Sequence, residues 1–362
     1  MKHTPLSLLG ITVILSLTAV VVPAFAQNSA GRLVVMTYNV NEGTDFLQVL
    51  SATNALQFLL GVGEIVDQVQ GTNPPERMQA VAAQILLAKP TLVFLQEVDN
   101  WYQGAFNPVT GACGTMALKY DMLQELTESI AAQGGHYQVI THVPEITLPA
   151  TPGLTPEGAF VCAALTDDNV ILARSDLNPR SFQWSNPQSG EFAAFVPFTT
   201  PTGTVPITRS WASVDVQFHG SMFRFIGTHL ESFVPPVREA QGAELRAGPA
   251  NTSLPVIVAM DSNAQAFPLP QDPTYTDFIE AGYSDVWQEL FPSDPGLTCC
   301  QNESDNNPES ELYQRIDLIL TLGNVEGQNI SLLGADPSTR TADGLWPSDH
   351  AGVAAQLTIE KD

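Results

Sequence analysis

Short apolar runs alternate with amphipathic stretches along the chain. Runs rich in Val, Ile, Leu and Phe, each ending at polar residues or glycine, occupy 32–39, 91–95, 169–173, 211–218, 222–228, 254–260, 316–320 and 352–359. Such runs predict buried strands. Apolar residues at helical spacing predict helices over 76–88 (after Pro74-Pro75), 115–132 and 237–247. Strands and helices that alternate in this way predict an α/β or α+β protein. Three stretches read as loops or insertions: 41–73, whose apolar pieces suffice for a helix; 144–158, rich in Pro, Gly and Thr; and 294–310, rich in Asp, Asn, Ser and Glu. No fixed-period repeat interrupts the pattern. Chemically suggestive residues flank each insertion, so one elaborated domain over 27–362 is the simplest organisation.

The N-terminus changes this picture. Lys2 and His3 precede an apolar run over 6–22, followed by Pro23 and the small-x-small triplet Ala24-Phe25-Ala26. Residues 1–26 therefore read as a cleaved signal peptide, and the protein is expected to be secreted or periplasmic. No cysteine follows the run, which argues against a lipoprotein. With 44% hydrophobic and 14% charged residues, the remainder can build a substantial core. Lys and Arg number 14 against 38 Asp and Glu, a net charge of −24. That balance disfavours tight, salt-driven binding to duplex DNA. It does not exclude a polyanionic substrate if metal ions lie between protein and phosphate.

Export permits disulfides. The four cysteines, Cys113, Cys162, Cys299 and Cys300, allow three connectivities, and Cys113–Cys162 is the preferred pair. A Cys299–Cys300 bond is disfavoured, because adjacent Cα atoms lie about 3.8 Å apart, short of the usual disulfide span.

The candidate chemistry sits at strand ends. Asn39 closes the first strand in Thr37-Tyr38-Asn39, and Glu97 the second in Gln96-Glu97. Thr228-His229-Leu230 and Asp261-Ser262-Asn263 close two later ones. Arg315-Ile316-Asp317 opens a fifth, and Ser348-Asp349-His350 precedes the last. Polar groups at the ends of apolar strands converge on one rim, where a site can form. Any one of them is an ordinary turn residue or a satisfied histidine, but a carboxylate at 317, inside an apolar run, needs a partner.

Taken in order, these motifs resemble the endonuclease/exonuclease/phosphatase superfamily over roughly 32–359. The resemblance implies an α+β fold of four α/β/β/α layers, in which two packed mixed sheets are flanked by helices. It also implies phosphoester hydrolysis with a divalent metal, Mg²⁺ or possible Mn²⁺. By the same resemblance, Glu97 is the principal metal ligand, with Asn39 and Asp349 beside it. Asp261 aligns or deprotonates the attacking water and Asn263 orients phosphate. His350 is the essential histidine, Asp317 orients it, and His229 stabilises the phosphoryl oxygens. Met260, Ser262 and Asn41 depart from the family's usual Gly, aromatic and acidic residues and leave the substrate subclass open.

The residue types suit that chemistry. A hard cation held by carboxylate and amide oxygens neutralises an anionic phosphodiester. Asp261 and Asn263, two apart, face the same way if the chain stays extended. A buried carboxylate at 317 could fix the tautomer and orientation of His350. Arg174 and Arg315 could also contact phosphate, though a structural role is the favoured reading of each. No P-loop, H-E-x-x-H, G-x-S-x-G or complete G-x-G-x-x-G motif is present, and Gly61-Val62-Gly63 is too short to count.

The expected activity is that of a phosphodiesterase, with nuclease first. A sphingomyelinase-like lipid phosphodiesterase, with 192–198 as an exposed apolar hairpin, comes second. A phosphomonoesterase follows, then a non-catalytic binding protein on the same fold. The expected partner is a phosphoester substrate (nucleic acid, phospholipid or small phosphodiester). No stable protein partner is implied, and a monomer is expected.

Overall fold

The computed structural model describes residues 32–200 and 203–360. The signal peptide expected over 1–26 lies outside them. Among the described residues, two large mixed sheets of nine and six strands pack face to face. In the first, Leu33–Asn39 lies between Gly352–Ile359, antiparallel to it, and Leu92–Gln96, parallel to it. The second is built around Val256–Asp261, flanked by Ser221–His229 and Asp317–Leu322.

The alternation of side chains explains the layers. Leu33 and Val35 point into the core between the sheets, against Phe223, Phe225, Ile257 and Ile319. Val34, Met36 and Tyr38 point the other way, under the Pro74–Ala88 and Met122–Ala132 helices. On the far side, Leu245, Tyr275 and Phe278 of the Pro235–Ala247 and Pro273–Glu280 helices cover Ile226, Val258 and Leu320. This is the expected four-layer α/β/β/α sandwich. Gly227 permits a close approach between the sheets: a Cβ there would lie 1.8 Å from the Phe94 ring.

Two expectations change. The helix over 115–132 begins only at Met122, because Ala117–Asp121 pairs with the Asn100–Asn107 strand and the Asp121 side chain caps the helix. The Pro/Gly/Thr-rich stretch 144–158 is largely not a loop. It continues Tyr137–Leu154, a long strand paired to Phe160–Arg174. Two of its three register shifts fall at Pro144 and Pro149, and only one neighbouring strand claims its backbone, the setting in which a sheet tolerates proline.

The 41–73 insertion carries the Leu47–Leu50 and Ala55–Gly71 helices. The 294–310 insertion is irregular and braces the site: Gln301 N–H donates to the Asp349 carbonyl, and Asp305 accepts from Asn41. Cys113 and Cys162 form a disulfide, as preferred, and the sulfurs of Cys299 and Cys300 lie against each other, contrary to the expectation that these neighbours would not pair.

Candidate active site

The strand pairings place the candidate residues on one rim. Asn39 and Gln96 end adjacent parallel strands in register, so Glu97 leaves its strand beside Asn39. His229 and Asp261 are partners across another parallel pair, and Asp261 also faces Asp317. Asn39, Glu97, His229, Asp261, Asn263, Asp317, Asp349 and His350 all come together where the two sheets meet.

Asp261 is the centre. Its Oδ2 accepts from Asn39 Nδ2 at 3.0 Å and lies 3.6 Å from His229 Nε2 and 3.9 Å from His350 Nε2. Burial, then Asp317, pushes its carboxyl up to about 6, against the pull of His350 and the Asn39 hydrogen bond. Its Oδ1 accepts from the backbone N–H of Asn263, which turns in the left-handed region at φ 48°. That turn breaks the extended geometry expected between the two residues. The Asn263 amide donates to the Leu230 carbonyl.

The two histidines are held differently. His350 Nδ1 donates to buried Asp317 at 2.8 Å. Burial lowers the His350 pKa, but Asp317 and Asp349 outweigh it and hold the imidazole charged. His229 faces Arg209 Nη1 at 2.9 Å through Nδ1. Burial and the Arg209 guanidinium hold His229 well below its ordinary range. Arg209 Nη1 also lies 3.3 Å from His229 Nε2, and Nδ1 lies 3.2 Å from Glu145 Oε1, so the ring sits between a guanidinium and the carboxylate paired with it. Arg209 in turn pairs with Glu145, whose other oxygen accepts from Asn169.

Glu97 is positioned by backbone strain and hydrogen bonds. It sits at φ 56°, accepts from Asn39 Nδ2 at 2.6 Å and from the Glu42 N–H at 2.9 Å, and its side chain keeps 17% exposure. Asp349 sits near enough for burial and the Glu97 charge to raise its pKa. Glu97, His229 and Asp261 bring ligand atoms within 4.8 Å of one another, a donor set that fits a divalent cation. Asn39 presents its amide nitrogen to Glu97 and Asp261 and its oxygen to Asn41 N–H. As oriented, it braces the carboxylates; half a turn of the amide would offer its oxygen to a cation.

A second carboxylate group lies behind Glu97. Glu42, Asp99 and Asp167 bring ligand oxygens within 4.8 Å of one another, and neither Asp99 oxygen accepts a hydrogen bond. Burial and mutual repulsion raise the Glu42 and Asp99 pKa values, and burial pushes Asp167 up to about 7 against the pull of Arg209. Three carboxylates this close, Asp99 and Asp167 buried and Glu42 partly so, cannot all stay ionised without protons or a cation among them.

Sequence reasoning missed Arg209, Glu145, Asp99 and Asp167. Asp167 had a signal, being an acid that opens an apolar run. Glu145 had none, because it lay in a stretch read as a loop. Arg315 and Arg174 do not face the rim: buried Arg315 pairs with Asp285, and Arg174 with Asp176.

Comparisons with known proteins bear on the fold. No protein-family profile and no curated protein matches the chain. Solved structures do. An endonuclease/exonuclease/phosphatase family protein from Bacteroides thetaiotaomicron superposes with a TM-score of 0.53 at 17% identity, covering 91% of this chain and 98% of its own. The chain has the endonuclease/exonuclease/phosphatase fold. A mannosyl-6-phosphatase from the same species matches at TM-score 0.51 and 16% identity, covering 90% of this chain and 100% of its own. The human Nocturnin catalytic domain, with a bound sulfate anion, matches at 0.51 and 17%, covering 91% and 95%.

Proposed function

We propose that the protein is an exported phosphoester hydrolase that depends on a divalent cation, Mg²⁺ or Mn²⁺, and acts on phosphodiesters. One observation carries this reading: both histidine Nε2 atoms and the Asn39 amide surround a single oxygen of Asp261, beside Glu97. Glu97 and Asp349 would hold the cation, which when bound supplies charge neutralisation of the anionic phosphoester. Asp261 accepts the proton of the attacking water, since a carboxyl near the operating pH is suited to that task. His350, charged and oriented by Asp317, donates from Nε2 to a phosphoryl or leaving oxygen. His229, held neutral, lies beside the same Asp261 oxygen. Donors preset around developing negative charge stabilise the transition state without reorganisation.

The Cys113–Cys162 disulfide supports the export part, because such bonds persist in oxidising compartments. N-terminal sequencing of the exported protein is expected to begin at Gln27; retention of residues 1–26 would sink that part. The activity is tested by hydrolysis of bis-p-nitrophenyl phosphate with Mg²⁺ or with EDTA, by wild type and His350→Ala. Mg²⁺-dependent turnover that the variant loses is expected. A folded, metal-loaded protein that turns over no phosphodiester would overturn the reading.

A further inference from the structure

The catalytic rim is the floor of a cleft of about 710 Å³ whose upper walls are apolar. One wall is the 41–73 insertion, with Phe58, Val62 and Ile65 facing inward. Opposite stands the hairpin of Val196–Thr200 and Gly203–Ile207, contributing Val196, Phe198, Val205 and Ile207. The reading of 192–198 as an exposed apolar hairpin holds in part: Phe195 is 46% exposed and Val196–Thr200 is a hairpin strand, but Phe192 is buried in the core behind the second sheet and Phe198 lines the cleft. Phe233 (63% exposed) and Leu47 (49%) extend the apolar surface to the rim.

The insertion is a packed wall. A Cβ on Gly63 would lie 2.0 Å from the Leu154 carbonyl oxygen, and one on Gly61 2.7 Å from that of Gln48. These two glycines weld the Ala55–Gly71 helix to the Tyr137–Leu154 strand and to the Leu47–Leu50 helix.

The charges of the cleft point the same way. Arg209 is the one Lys or Arg side chain in its lining among the described residues, and it is committed to Glu145 and His229. Carboxylates such as Asp45, Glu231 and Glu303 line it as well. A polyanion such as nucleic acid would meet these carboxylates with no free cation to contact its further phosphates.

We propose that the substrate is an amphiphilic phosphodiester: one phosphate seated at Asp261 and His350, and one long alkyl arm lying in this cleft. The proposal rests on the phosphodiesterase reading and names its substrate class. Apolar pockets of this size with a few convergent polar groups are typical of sites that bind by burying hydrocarbon.

The test is a series of p-nitrophenyl alkyl phosphates with methyl, butyl, octyl and dodecyl arms, assayed as monomers with Mg²⁺, alongside plasmid DNA. kcat/KM is expected to rise about three- to fourfold per added methylene until the cleft is filled, with DNA a poorer substrate. Phe198→Ser and Val62→Asp, on opposite walls, are each expected to collapse the ratio of octyl to methyl kcat/KM towards one. Using both guards against a single misfolded variant. A flat chain-length profile in a wild type that still hydrolyses the methyl ester would overturn this inference alone, as would preference for DNA. Loss of all diester turnover would overturn the phosphodiesterase reading with it. Faster cleavage of a dispersed amphiphile than of the same compound in phosphatidylcholine vesicles would assign the arm to a free amphiphile, and the reverse to a membrane lipid. Either outcome upholds an apolar arm.

Discussion

His350 and His229 approach the same oxygen of Asp261 from two sheets, at 3.9 and 3.6 Å, yet their neighbours give them opposite charge states. His350 leans on a carboxylate, Asp317, and stays protonated. His229 leans on a guanidinium, Arg209, and stays neutral. Both are buried, and burial alone would strip the proton from each. What separates them is the sign of the nearest fixed charge. One buried site therefore holds a charged and a neutral imidazole side by side, which a symmetric pair of histidines could not do.

The largest expected effect comes from removing the charged member. His350→Ala is expected to lower kcat on bis-p-nitrophenyl phosphate by about 10²–10⁴-fold, the usual weight of a positioned acid or base. Steady-state kinetics at saturating Mg²⁺ checks this, and a variant within threefold of wild type would contradict the assignment. Asp317→Asn keeps the shape of the pair and removes the charge, so it should erase much of the asymmetry. The His350 imidazole is then expected to titrate lower, readable by NMR, with a loss of kcat smaller than that of His350→Ala.

Arg209→Met attacks the other side. It leaves Glu145 buried without its cation, and breaking such a pair costs about 3–5 kcal/mol. A fall of that order in denaturant-derived stability is expected, together with a rise in the His229 pKa. An unchanged His229 titration would show that Arg209 is not what keeps it neutral.

The smallest effect is on pH-dependent stability, measured by thermal melts in EDTA. The raised pKa of His350 stabilises the folded state fully below its ordinary value near 6.5 and loses this as pH rises through the folded value. The lowered pKa of His229 acts in the opposite sense: its contribution is complete above 6.5 and is lost as pH falls below it. His350→Gln should therefore flatten the alkaline limb relative to wild type, and His229→Gln the acid limb. The same limb flattening in both variants would break the comparison.

Much of the molecule was legible in the order of residues. Apolar runs marked the central strands, because a strand buried on both faces leaves a continuous signature. The candidate site residues fell at the ends of those runs, and register alone carries Asn39 next to Glu97 and His229 next to Asp261. That Asp317 needs a partner was legible too, since it lies in an apolar run; that the partner is His350 was what the family resemblance implied.

Only the tertiary structure decided the rest. Arg209 and Glu145 lie 64 residues apart, and neither stands in a local pattern that announces the other. They meet because Tyr137–Leu154 is a bulged edge strand, and composition disguised that strand as a loop. The apolar cleft has the same origin: Phe58, Val62 and Phe198 look like ordinary core residues until the 41–73 insertion and the hairpin are set on either side of the rim. Period and residue type record what each strand buries. Which charge stands beside a buried histidine, and which apolar side chains are left facing a cavity, depends on contacts between segments distant in sequence.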